Sequence, residues 1–155
     1  MSRAFVRERD DAPADGPPEL RLGDGANLVT PRGLRLIEQK LFELNEGLAA
    51  GPGADDKARL LRDLRYWTAR RASAQLVDHK SADSEVSFGS EVVIRRHGGP
   101  PETFLIVGED EADPVQGRIS YVSPIAQALL GARAGETVEV ENRKPPLELD
   151  VVSVR

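Results

Sequence analysis

The 155 residues contain no cysteine, aromatic side chains make up only 5% of them, and no apolar run approaches the ~20 residues of a membrane-spanning helix. Without cysteine there is no disulfide framework, no thiolate zinc or iron–sulfur centre and no cysteine nucleophile, so nothing favours secretion. Near the start, Arg3 and Arg7 are not followed by the apolar stretch of a secretory signal, and the expectation is a cytoplasmic protein without a membrane segment. A cationic surplus is missing as well: Lys+Arg 21 against Asp+Glu 26 gives a net charge of −5. Affinity for phosphates grows with the cations presented to them, so this balance argues against direct, sequence-specific DNA binding.

The charge is unevenly spread, and two composition shifts divide the chain. Residues 1–27 carry 4 basic and 6 acidic residues, 28–78 carry 9 and 7, and 79–155 carry 8 and 13. The first piece is rich in Pro, Gly and Asp and has few large apolar residues, so a flexible extension is expected there, with Ala4-Phe5-Val6 its only apolar cluster.

Residues 28–78 read as a helical hairpin. Thr30 and Pro31 make a helix start, the hydroxyl as cap and the proline at a position whose N–H would be unpaired anyway. Leu34, Ile37, Leu41, Leu44 and Leu48 follow in steps of three and four, the seam of a helix packed along a partner. Gly51-Pro52-Gly53 ends that helix, and Leu60, Leu64, Trp67 and Ala74 resume the stepping, with Arg71 interrupting it. Two matched stripes across a tight break predict an antiparallel coiled coil with arms of ~20 residues, roughly 30 Å each.

After Asp78 the periodicity becomes that of strands, expected at 86–88, 91–95, 103–107, 117–122, 137–141 and 147–154. Ser123-Pro124 and Gly131 bracket one short helix, whose Ile125, Ala128 and Leu129 would face the sheet. The fold class expected is therefore α+β: an N-terminal α-helical hairpin followed by an antiparallel sheet domain with one short helix over 79–155.

Catalytic constellations are scarce. Glu109-Asp110-Glu111-Ala112-Asp113 looks like a helicase metal box, but no phosphate loop accompanies it, and a solvated loop is the expectation. His79 and His97 have no second ligand at metal-like spacing and read as surface histidines. There is no Gly-x-Ser-x-Gly elbow, and a self-sufficient enzyme finds no support. Asp55 and Asp56 occupy the first turn after the hairpin break, where acids suit the positive end of the helix dipole and where two oxygen ligands could help hold Mg²⁺ in a partner's site.

The order of features resembles one family. The helical hairpin, Phe88-Gly89, Ile106-Val107-Gly108-Glu109-Asp110-Glu111-Ala112-Asp113, Ile119-Ser120, Ser123-Pro124-Ile125-Ala126, Ala128-Leu129-Leu130-Gly131 and Gly135-Glu136-Thr137-Val138 follow one another as in the Gre transcript cleavage factors. The resemblance implies an FKBP-like second domain that docks beside the secondary channel of bacterial RNA polymerase, and a coiled coil that enters the channel. It further implies that the tip acids help bind the polymerase's own Mg²⁺, so the protein would be a non-enzymatic regulator, monomeric and without a cofactor of its own, and any association with DNA would be indirect. Residue by residue, Ser123 and Pro124 match the family's docking turn, with Val122 and Ile125 beside them; Val122 stands where the family can have an acid.

The tip departs from the pattern. The family's acidic tip motif is absent, Asp55-Asp56-Lys57 stands at the turn, and the arm is shorter than the family's by about ten residues, roughly 15 Å at the helical rise. Shortened hairpins also occur in relatives, such as the nucleoside diphosphate kinase regulator Rnk, that bind polymerase without cutting RNA. The expected function is thus elongation control at the secondary channel without full cleavage stimulation. The alternatives are genuine transcript cleavage through Asp55 and Asp56, and an interaction module for an enzyme of nucleotide metabolism. A prolyl isomerase reading is weak, since 79–155 offers only Phe88, Phe104 and Tyr121 as aromatic lining.

Overall fold

A computed structural model describes residues 16–79 and 84–155. A strand β1 (Asn27–Val29) leads into helix α1 (Pro31–Ala49), and after a four-residue break helix α2 (Ala54–Ser73) returns to strand β2 (Ala74–Leu76). The two strands pair in parallel, Asn27 opposite Ala74 and Val29 opposite Leu76, and close the base of the hairpin. Thr30 caps α1 as expected, its Oγ1 accepting from Gly33 N at 2.9 Å, and Gly51 takes a φ of +70° that favours glycine at the turn.

Burial along the coiled coil is graded. Ile37 is 0% exposed, whereas Leu34, Leu41, Leu44 and Leu48 are only half-buried. Two helices cannot enclose their own seam, so full burial needs a third body, which exists only at the base. Arg71 does sit at a seam position, and its guanidinium turns out to Glu38 on α1 at 3.0 Å.

The remaining strands are β3 (Glu91–Arg95), β4 (Pro101–Val107), β5 (Arg118–Ser120), β6 (Thr137–Val140) and β7 (Leu147–Val154), with helix α3 (Pro124–Leu129) between β5 and β6. They form one sheet in the order β5-β4-β3-β7-β6. Alternation sets the faces: Val92, Ile94, Leu149 and Val151 point into the core beneath α3, while Arg95, Glu148 and Asp150 point out. A register shift opposite Val93 and Ile94 leaves Val152 of β7 without a counterpart.

The α+β class and the hairpin stand as expected, with three departures. The sheet is mixed, because β5 runs parallel to β4 after the loop 108–117 carries the chain back. The strand expected at 86–88 is reduced to a bridge between Glu85 and Arg133, with Val86 N donating to Ala132 O and Phe88-Gly89 already turning. The piece expected as an extension, 1–27, ends in a strand: Asn27 is buried in β1, and residues among 16–26 border the same surface clefts as α2. Glu19 pairs with Arg65, and Gly16 and Pro17 line one open cleft together with Ala54 and Asp55. Ala4-Phe5-Val6 and residues 80–83 of the expected hinge lie outside the described residues.

Candidate functional site

Ser123 accepts from Ala126 N at 3.3 Å and so caps α3, while Pro124 in the first turn fixes its backbone angle. Ala126 and Leu129 are fully buried and Ile125 half-buried, which anchors the helix and leaves Pro124 and Val122 outside; Val122 is 49% exposed. The chain leading into the turn is fixed as well. Gln127 Nε2 donates to Tyr121 O at 2.7 Å, the Tyr121 ring meets Phe88 edge-on at 5.4 Å, and its hydroxyl donates to Ala26 O. Val122, Ser123, Pro124 and Ile125 therefore form a stiff, partly apolar projection. Beside it a cleft of about 460 Å³ is lined by Val122, Pro124, Gln127, Ala128, Glu139, Glu141 and Asn142. None of these is aromatic, and Phe88 and Phe104 are buried.

At the tip, Asp55 and Asp56 lie in the first turn of α2 behind Gly53, which offers no side-chain cap, so the two carboxylates complement the exposed N–H groups there. Both are exposed, and the nearest cation, Arg59, is 4.0 Å from Asp56. Two carboxylates on one turn can offer oxygen atoms to a cation held by another molecule.

The acidic stretch 109–113 is not the solvated loop its composition suggests. Glu109–Glu111 form a short 3-10 turn whose carboxylates reach back to the base of the hairpin. Asp110 accepts from Tyr66 Oη and from Arg70 Nε, both at 2.5 Å, and Arg70 Nη2 lies 3.2 Å from Glu109. Glu111, 4% exposed, accepts from Thr30 Oγ1 at 2.5 Å and from Arg32 Nη1 at 3.2 Å. The Thr30 hydroxyl thus accepts from the Gly33 N–H and donates its own O–H to Glu111, whose carboxylate places a negative charge where α1 has no acid in its own first turn. Gly33 makes room at this point: a Cβ would stand 2.8 Å from Glu111 Oε2 and push that carboxylate aside. Gly108 allows the next approach, since a Cβ there would meet Leu28 O at 2.5 Å. Further ties are Val77 N to Val29 O at 2.9 Å and Asn27 Nδ2 to Arg70 O at 2.8 Å.

Burial first, and the Asp110 carboxylate second, push the Tyr66 hydroxyl up to about 12. A raised folded-state value stabilises the junction below the ordinary value near 10, and the contribution is lost as pH climbs from about 10 to 12. Thermal unfolding followed between pH 9 and 12 should show this loss in the native chain, and Tyr66→Phe should flatten that part of the profile.

Sequence reasoning missed Tyr66, Arg70, Asp110 and Glu111 as a group. The one local sign was Arg70-Arg71 in the last turn of a helix whose seam passes beside them. His79 is also not a plain surface residue: it is half-buried against Gly89, with Nδ1 3.4 Å from Ser87 Oγ, whereas His97 is exposed.

Residues 80–155 match the model of the GreA/GreB transcription elongation factor C-terminal region. Over 151 residues the chain is 30% identical to transcription elongation factor GreB of Neisseria meningitidis serogroup B, covering 83% of this chain and 93% of the relative. Over 121 residues it is 39% identical to transcription elongation factor GreA of Limosilactobacillus fermentum, covering 77% of each. Among solved structures, GreA factor homolog 1 of Thermus thermophilus is similar at 21% identity and TM-score 0.41, covering 84% of this chain and 99% of that one. No described helix is long and apolar enough to cross a membrane. On these sequence matches, the chain belongs to the GreA/GreB family of transcription elongation factors.

Proposed function

We propose that this chain regulates elongation by binding RNA polymerase at the rim of the secondary channel through the turn Val122–Ile125, with its hairpin directed into the channel and its tip held short of the catalytic Mg²⁺. The observation that carries this reading is the junction at Asp110 and Arg70. Because the Arg70–Asp110 ion pair and the Thr30–Glu111 hydrogen bond tie the base of the hairpin to the sheet domain, the distance from docking turn to tip is a set length. α1 and α2 have 19 and 20 residues, about 28–30 Å. A shortfall of about 15 Å against the family's arm far exceeds the ~2.0–2.6 Å over which a carboxylate must meet a metal ion. The protein would occlude the channel or compete with full-length cleavage factors, acting as a monomer without catalysis or a cofactor of its own.

Binding to core RNA polymerase tests the docking half. Pro124→Gly frees the backbone at the turn and should weaken binding about tenfold or more, corresponding to roughly 1.4 kcal/mol. Absence of binding by the native chain would refute the reading. The exposed Asp55 and Asp56 support a second one, in which the tip reaches the metal after deeper docking and the polymerase hydrolyses backtracked RNA.

A further inference from the structure

The contacts of residues 16–23 fix where the start of the chain is attached. A Cβ on Gly23 would stand 3.3 Å from Glu109 Oε2, beside the junction at the base of the hairpin. Glu19 pairs with Arg65 in the middle of α2, and Gly16 and Pro17 border one cleft with Ala54, Asp55 and Ala58 at its first turns. Going back from Gly23 to Gly16, the partners thus move from the base of the hairpin to its tip. The fifteen residues that precede Gly16 are therefore joined to the molecule at the tip.

Their charges are ordered along the chain. Arg3, Arg7 and Arg9 stand in the first nine positions against Glu8 alone, while Asp10, Asp11 and Asp15 lie next to Gly16. The hairpin has no acidic surplus to hold such a cationic end against itself, since α2 carries six basic and three acidic residues and α1 three of each. Length also favours an outward role. Fifteen residues reach about 50 Å at full extension, and the seven steps from Gly16 to Arg9 alone cover about 23 Å, more than the roughly 15 Å by which the arm falls short. What lies across that gap is a Mg²⁺ site, and a hard cation of this kind is held by carboxylate oxygens. A guanidinium group cannot ligate a metal, but it pairs with a carboxylate through two parallel hydrogen bonds.

We propose that residues 1–15 form the leading segment of the hairpin, attached at the tip through the contacts of Gly16, Pro17 and Glu19, and bring Arg3, Arg7 and Arg9 to the carboxylates of the polymerase's metal site in competition with Mg²⁺. This inference rests on the docking-turn reading and names the contact made beyond the tip. It gives the short arm a means of acting on the metal site that Asp55 and Asp56 do not supply.

The test is affinity for core RNA polymerase free of nucleic acid, measured against Mg²⁺ concentration at constant ionic strength, for the native chain, R3A/R7A/R9A, E19K and P124G. Binding of the native chain should weaken as Mg²⁺ rises. The triple variant should bind about tenfold more weakly at low Mg²⁺ and lose the Mg²⁺ dependence, and a chain lacking residues 1–15 should behave in the same way. E19K sets a cation against Arg65 and should lose most of the Mg²⁺-dependent share while keeping all three arginines. A native-like Mg²⁺ response in the triple variant or in E19K, with P124G still weakened, would overturn the leading segment and leave the docking turn standing. A loss in the triple variant that appears only when RNA occupies the polymerase would assign the arginines to phosphates and overturn the carboxylate contact. No binding by the native chain would overturn both readings.

Discussion

Replacing Arg70 by alanine is expected to destabilise the protein by about 3–5 kcal/mol, the range for removing one partner of a buried ion pair. Asp110 has a side chain only 7% exposed and would keep its charge without the guanidinium that compensates it, while Glu109 would lose its partner too. For a chain of this size each kcal/mol moves the unfolding midpoint by about 2–4 °C, so a fall of roughly 6–20 °C should be measured. The double variant Arg70→Met, Asp110→Asn should lie closer to the native protein, because neither position leaves an unpaired buried charge and the amide oxygen can still accept from Tyr66. A single variant costing under about 1 kcal/mol would mean that water reaches Asp110 and that the junction is not a dry lock. The same substitution bears on function: with the lock removed the tip's position is no longer set by the docking turn, and any effect that depends on channel occlusion should diminish even where binding survives.

Ile37→Ala is the second large effect, at about 2–5 kcal/mol for a fully buried aliphatic side chain. Leu44→Ala, seven residues nearer the tip and half-buried, should cost clearly less, because its cavity opens toward solvent. Chemical denaturation of the two variants would display the gradient from base to tip. Equal costs would mean that the hairpin is supported along its whole length, for instance by a second copy of the chain.

The features legible in the sequence were those encoded locally. Thr30-Pro31, the three-and-four stepping of Leu34 to Leu48, and Ser123-Pro124 each act within a few residues, and each appears where its spacing places it. The junction was illegible because its parts lie far apart: Asp110 and Arg70 are separated by 40 positions, and Glu111 and Thr30 by 81. Composition marks an acidic stretch as solvated, and only the fold reveals that it faces an arginine and a helix N-terminus. Composition is also silent on what residues 16–26 stand beside: Pro17 and Pro18 line one surface cleft with Ala58 and Leu61 of α2, and Glu19 pairs with Arg65. At 86–88 an apolar pattern suggested a strand, but hydrogen bonds to Gly131 and Ala132 took its pairing partners and left a bridge. The candidate site was half visible: the turn Val122–Ile125 and the tip acids could be named from sequence, while the residues across the cleft from that turn, Glu139, Glu141 and Asn142, come from a strand and loop that only the fold brings there.

Under the proposed function, this family member acts on elongating polymerase without supplying the tip chemistry of cleavage. Adding the purified protein to stalled, backtracked elongation complexes tests it most directly. The account predicts no release of short 3′ RNA fragments above that of polymerase alone, together with slower release when a full-length cleavage factor is present. Release of such fragments by the native chain, lost in the Asp55→Ala, Asp56→Ala double variant, would contradict it.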